Sequence, residues 1–542
     1  MLLHRSSPPL LAAALLWTAL AVTASAQELL RTDTGATGAG FGRVASAGDV
    51  NGDGHDDLIT GAPNESLDAG RARVFSGADG SLLFTFSGST AGDLLGWSCA
   101  GAGDVNGDGR DDLVVGAPQT NVPLGRGYVR LYSGADGSLL RTLNGAAAGD
   151  RFGAAVAGAG DLNGDGKDDV LVGAPQNDAG GTNAGAATAY SGATGSALFS
   201  CTGSAGQNLG GALGCDLPDA VSDNEPDPII GLTMEGGDRS GAVQVRSRTD
   251  FSVRFTVTGQ PGQRLGATVA SAGDINGDGK IDLLAATDPR DALGASTAAA
   301  QVRLYSGANG ALLATFSDGA LATGYGSALA ALGDVTGDHV PDFAIGEPGH
   351  DGHGLDAGGA RIYSGATGKT WYQLLGPAAG AGFGASVACA GDLNADGLPD
   401  CAIGAPGGVL SAGHAYSLSV TRWQEIGNGL PGIAGVPRLT GEGGLIANAQ
   451  AALSLTDAAP GTLATLVLGY TLTIDPATNT LTPSSDIIVT GLVTSGAGTL
   501  DFSFAWPAGL PSGTTVFHQF RITDPLAPQG QSRSNTVAAL VP

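Results

Sequence analysis

Basic side chains are scarce in this chain: 25 Lys and Arg stand against 51 Asp and Glu in 542 residues, a net charge of −26. Binding to a phosphate backbone needs the opposite balance, so nucleic acid is excluded as a partner. Charged residues of both signs reach only 14%, below the share usual in soluble domains. No hydrophobic stretch near the C-terminus is long enough to span a bilayer. There is no Gly-x-Ser-x-Gly elbow, no zinc-protease helix and no phosphate-cradling loop, which removes the commonest readable signatures of catalysis. Cysteines number five, Cys99, Cys201, Cys215, Cys389 and Cys401.

The abundant residue is glycine, 92 in all, and much of it belongs to one recurring acidic loop. The first copy runs Asp49-Val50-Asn51-Gly52-Asp53-Gly54-His55-Asp56-Asp57, the pattern D-x-N-x-D-G-x-x-D. Further copies carry Asp104, Asn106, Asp108, Asp112; Asp161, Asn163, Asp165, Asp169; Asp274, Asn276, Asp278, Asp282; and Asp392, Asn394, Asp396, Asp400. A weaker sixth copy keeps Asp334, Thr336, Asp338 and Asp342, with His339 in place of the loop glycine. A degenerate fourth copy starts near Asp216, in register but without the internal pattern.

Side-chain oxygens at positions 1, 3, 5 and 9, with a backbone carbonyl at position 7, form the ligand set that a hard cation such as Ca²⁺ takes. The position-7 carbonyls belong to His55, Arg110, Lys167, Lys280 and Leu398. The expected load is about five to six Ca²⁺ ions, each relieving repulsion among clustered carboxylates. Gly54 and its counterparts permit the sharp bend. An EF-hand would need Glu at position 12, where Thr60 and Val115 stand. Leu58-Ile59 and Leu113-Val114-Val115 read as strand, which puts the loops inside β-hairpins.

Each repeat holds more than its loop. An aromatic or Leu before Gly precedes it (Phe41-Gly42, Leu95-Gly96, Phe152-Gly153, Phe383-Gly384), and Gly-Ala-Pro follows it (Gly61-Ala62-Pro63, Gly116-Ala117-Pro118, Gly173-Ala174-Pro175, Gly404-Ala405-Pro406). A Ser-Gly-Ala-x-Gly turn then separates a third strand from a fourth, as at Ser76 to Gly80. Four short strands per unit is the signature of a propeller blade. Glu28-Leu29-Leu30-Arg31-Thr32 matches the fourth strand of other units, while the last unit stops after its third strand near Ala415-Tyr416-Ser417-Leu418. The expected fold is therefore all-β: a seven-bladed β-propeller over residues 27–423, closed by the N-terminal strand, and then a small β-sandwich-like domain over residues 424–542.

These motifs resemble the FG-GAP repeat of integrin α-subunit β-propellers, and related repeats occur in secreted bacterial proteins. The resemblance implies calcium loops that brace the blades on one face, with ligands docking elsewhere on the ring. It carries over the loop residues alone and identifies no ligand-docking residue. No gap between units leaves room for an inserted ligand-binding domain.

The first residues carry a basic start, an apolar run from about Leu10 to Val22 and a small-residue cleavage site at Ala24-Ser25-Ala26. This reads as a signal peptide over residues 1–26 and a secreted or cell-surface chain. Export would admit disulfides: Cys389 with Cys401 across the seventh loop and Cys201 with Cys215 beside the degenerate unit, or else buried free thiols. His350, His353 and Asp356 lie in one Gly-rich tract, a candidate transition-metal site or a solvated loop. The leading functional expectation is a non-enzymatic, calcium-stabilised module binding an extracellular protein or glycan. The alternative is a secreted polysaccharide lyase or hydrolase on the same scaffold. The sequence is silent on oligomeric state.

Overall fold

The computed structural model describes residues 28–120, 124–214, 227–233, 237–288, 295–336, 338–393, 399–407 and 412–419, and a set of strands between residues 423 and 540. The signal-peptide reading, Cys215 and the degenerate fourth loop lie outside the described residues, as do Asn394, Asp396 and Leu398.

Among the described residues the chain is all-β apart from one four-residue helical turn, Glu65–Asp68. Among the described residues seven sheets have four antiparallel strands each, six of them simple meanders. The first is Arg43–Gly48, Asp57–Ala62, Arg71–Phe75 and Leu82–Ser87 in that order. The last is built differently. Ser386–Cys389, Cys401–Ala405 and Ala412–Ser419 are joined by the N-terminal strand Glu28–Thr37, which pairs antiparallel with Ala412–Ser419, Thr32 opposite Tyr416.

Composition follows position within each sheet. The first strands are made of small residues (RVASAG, SCAGAG, AVAGAG) because they crowd together. Arg43–Gly48 packs on Ser98–Gly103, that strand packs on Ala155–Gly160, and so on along the chain, and Ser386–Cys389 packs on Arg43–Gly48. The second strands are apolar and buried along their whole length, as in Asp57–Ala62 and Asp112–Ala117. Complete burial of a side chain such as Leu58 or Ile59 contributes about 1.5–3 kcal/mol. The fourth strands are exposed or half-buried except for one buried residue each, Phe86 and Leu143 in the first two sheets, as expected of an outer strand with one covered face.

The two glycine motifs meet each other. Within a unit, the Gly96 N–H donates to the Gly116 carbonyl at 3.1 Å, and Gly153 to Gly173 at 3.0 Å. Between units, a Cβ on Gly61 would overlap the Gly96 carbonyl, one on Gly116 the Gly153 carbonyl, and one on Gly404 the Gly42 carbonyl. Glycine recurs at these positions because adjacent sheets touch there through backbone alone.

Among the described residues the strands after residue 422 pair only with one another. A six-stranded sheet includes Leu463–Gly469, Ile487–Val493 and Thr515–Thr523, and a three-stranded sheet joins Arg438–Gly443, Gln450–Thr456 and Leu500–Ala505. No helix of the described residues is long and apolar enough to cross a membrane.

Candidate metal centre

Each acidic loop connects the first and second strands of its sheet, and its opening Asp organises the backbone. Asp49 Oδ1 accepts the N–H groups of Gly52 (2.5 Å) and Asp53 (3.1 Å), and Oδ2 accepts that of Gly54 (3.0 Å). Asp104, Asp161 and Asp274 repeat all three bonds within their own loops. Two left-handed residues make this tight path possible, Gly52 (φ 71°) and Gly54 (φ 90°) in the first loop. In the sixth loop His339 takes the same left-handed conformation at φ 68°. Asp334 there still accepts from Asp338 (3.0 Å) and His339 (2.9 Å), so these two bonds survive loss of the glycine. Position 5 bonds to position 7 in every described copy: His55, Arg110, Lys167, Lys280 and Val340 donate to Asp53, Asp108, Asp165, Asp278 and Asp338 at 2.9–3.0 Å.

The closing Asp does work that the ligand pattern conceals. Asp57 Oδ2 accepts from Val50 (3.0 Å) and Asn51 (3.3 Å), while Oδ1 accepts from Gly77 (2.9 Å) in the turn between the third and fourth strands. Asp112 bonds Val105 and Gly134, Asp169 bonds Leu162 and Gly192, Asp282 bonds Ile275 and Gly307, and Asp342 bonds Thr336 and Gly365. The carboxylate thus ties the loop to the adjacent turn. All five are fully buried, as is Asp400. Burial pushes Asp57, Asp112, Asp169 and Asp282 up to about 6 and Asp342 up to about 7, with the neighbouring carboxylates adding to the rise.

Contacts between loops also escape a unit-by-unit reading. The position-8 residue of one loop lies over the glycine that ends the first strand of the preceding unit. Asp111 covers Gly48, Asp168 covers Gly103, Pro341 covers Gly273 and Pro399 covers Gly333, while Asp56 covers Gly391 of the last unit. Asp111 Oδ2 accepts the Asp49 N–H at 3.0 Å, and Asp168 Oδ2 accepts that of Asp104 at 2.8 Å. Position-7 side chains reach the same way: the Arg110 guanidinium lies over Gly52, Lys167 over Gly107, and the His55 ring bonds the Asp392 carbonyl at 3.0 Å. That bond raises the His55 pKa. The repeat of acidic and basic residues at positions 7 and 8 was the available signal for these contacts.

The donor set suits a hard cation on two observations. Every side-chain donor is an oxygen. Thr336 Oγ1, at position 3 of the sixth loop, is buried and has no hydrogen-bond partner among the described residues. Elsewhere amide N–H groups satisfy the carboxylate oxygens: Asn51 Nδ2 donates to Asp53 Oδ2 at 2.9 Å, and Asn106 Nδ2 to Asp108 Oδ2 at 2.8 Å. Among the described residues no group of three or more His, Cys, Asp or Glu side chains is gathered as a metal would gather it. The histidine tract does not converge either. His350 accepts from the Gly352 N–H at 3.0 Å, whereas the His353 ring meets the Gly376 carbonyl at 2.9 Å. Cys99, Cys201, Cys389 and Cys401 carry no disulfide in this structure.

The FG-GAP repeat family matches this chain at residues 41–75, 96–132 and 152–190. The chain therefore carries FG-GAP repeats, and over this region it is integrin-α-like. It is 34% identical to integrin alpha-8 of Gallus gallus over 144 residues, covering 25% of this chain and 14% of that protein. It is 36% identical to integrin alpha-PS2 of Drosophila melanogaster over 140 residues, covering 24% of this chain and 10% of that protein. The matches thus span a small part of the length of these curated relatives. Among solved structures the Dos1 propeller aligns with 67% of this chain and 76% of its own, at 13% identity and a TM-score of 0.39.

Proposed function

We propose that this chain is a secreted binding module: a closed seven-bladed β-propeller braced by calcium, engaging an extracellular protein or glycan, with a leader at 1–26 and a separate β domain at 424–542. The observation that carries the reading is the acidic loop itself, repeated with one hydrogen-bond frame in five described copies. Seven four-stranded sheets, the pairing of Glu28–Thr37 with the last of them and the meeting of Gly404 with Gly42 support seven blades in a closed ring. The similarity to integrin α-subunits supports an extracellular binding role rather than catalysis.

In this reading the first ion is held by the side chains of Asp49, Asn51, Asp53 and Asp57 and the His55 carbonyl, and the other loops use the corresponding residues. A bound divalent cation supplies the positive charge that the buried closing carboxylates lack. Asn51 and Asn106, whose amide nitrogens donate to Asp53 and Asp108 in this structure, would serve as ligands through their amide oxygens. The protein does the rest: the opening Asp fixes the loop path, and the closing Asp couples the site to the outer half of its blade.

Equilibrium dialysis of the full chain, read by elemental analysis, tests the metal. The expected result is about five to six Ca²⁺ per chain, and a metal-free protein at millimolar Ca²⁺ would overturn the reading. Glycan and extracellular-protein arrays test the binding role, with saturable binding expected. Turnover of pectic or algal polymers without saturable binding would replace it with the lyase or hydrolase alternative.

A further inference from the structure

One cross-strand position changes character in the last sheet. Counting from the loop, the residue three before the opening Asp faces the residue just after the closing Asp. In five sheets the pair is small against large: Ser46 with Leu58, Gly101 with Leu113, Gly158 with Val170, Ser271 with Leu283, and Ala331 with Phe343. In the seventh sheet both members are cysteine, Cys389 opposite Cys401. A single cysteine there would be an ordinary small apolar substitution. Replacement of both partners of one pair, one enlarged and the other reduced, points to a bond between them.

The local geometry suits that bond. The Ala390 N–H donates to the Asp400 carbonyl at 2.9 Å, just outside the pair. Cys389 and Cys401 are therefore a non-hydrogen-bonded antiparallel pair, whose Cα atoms lie about 4.5 Å apart. A disulfide spans Cα separations of roughly 4.4–6.8 Å. Opposed residues also project from the same face of the sheet, and both cysteines pack into the cluster holding Ile362 of the neighbouring sheet.

We propose that Cys389 and Cys401 close as a cross-strand disulfide that pins the two ends of the seventh acidic loop. With a low-molecular-weight disulfide such as oxidised glutathione as oxidant, one protein thiolate attacks its sulfur and releases one thiol. The second protein thiolate then attacks the mixed disulfide and releases the other. Two S–H bonds are lost from the protein, one S–S bond forms, and the two electrons and two protons leave with two molecules of reduced thiol. Cys401 is fully buried, so closure precedes the docking of the seventh sheet on the sixth. The bond holds the loop ends together whether or not a cation is present.

The test uses the full chain, reduced, denatured and refolded in a mixture of reduced and oxidised glutathione. It is then alkylated in denaturant, cut on the N-terminal side of Asp and analysed by mass spectrometry. Linked Cys389 and Cys401 peptides, two hydrogens lighter than the reduced pair, are expected, with Cys99 and Cys201 alkylated. Alkylation of both residues, or linkage of either to another cysteine, would overturn the proposal. A second measurement compares melting temperatures with and without reductant. The natural chain should lose several degrees. The double variant Cys389→Ser, Cys401→Leu, which restores the pairing of the first sheet, should be unaffected. An equal response in both chains would also sink the proposal.

Discussion

At the scale of single residues, the closing aspartates carry the most consequence. Replacing Asp112 by Ala strands the Gly134 N–H and leaves the Val105 N–H with the Gly103 carbonyl alone. Unfolding in urea with calcium present should reveal a loss of roughly 2–5 kcal/mol, whereas a neutral outcome would deny the carboxylate its role as a strut. These groups also fix the pH response of the metal-free protein. Their folded pKa values of about 6, and about 7 for Asp342, lie above the ordinary 3.8. Between those limits the folded state binds more protons than the unfolded one. The stability they contribute is complete below the unfolded value and is lost as pH rises through 6 to 7. In chelator, the melting temperature should climb as pH is lowered from about 8 to about 5, and a flat or falling profile in calorimetry would contradict the assignment. That positions 1, 3, 5 and 9 carry oxygen-bearing side chains was legible from spacing alone. The second role of position 9 was not, because Gly77 lies in a different hairpin and nothing in the loop points to it.

At the scale of the element, glycines of one motif are not equivalent. A Cβ on Gly54 meets nothing within 4 Å, although the backbone there is left-handed, and His339 occupies the matching place in the sixth loop. Gly54→Asn should therefore cost under about 1 kcal/mol. Gly404→Ala places a methyl group into the Gly42 carbonyl and should cost about 3 kcal/mol or more by forced backbone displacement. Thermal denaturation of the two variants checks the ranking, and equal effects would undo the contact argument. The repeat and its four strands could be read from the sequence because glycine, acidic and apolar positions recur in phase. The reason for each motif could not: Phe-Gly and Gly-Ala-Pro are complementary halves of a contact between different units, and a linear pattern holds only one half at a time. The same limit hid the side chains at positions 7 and 8, whose partners lie a full repeat away.

At the scale of the whole molecule, a net charge of −26 works against compaction unless cations offset it. Chelation should lower the melting temperature, since an ion that binds only the folded state adds about 2.7 kcal/mol per site at a hundred times its dissociation constant. Raising the salt concentration should recover part of that loss in chelator and change little in calcium. Scanning calorimetry under the four conditions tests both statements, and identical curves with and without calcium would remove the bracing role. The reach of Asp111 onto Gly48, Asp168 onto Gly103 and Asp56 onto Gly391 is always toward the preceding unit. Such an arrangement is polar, like overlapping roof tiles laid one way round. Damage to one loop exposes the neighbour it shelters and spares the one that shelters it, so faults should spread through the array in a single direction, from each unit to the one before it.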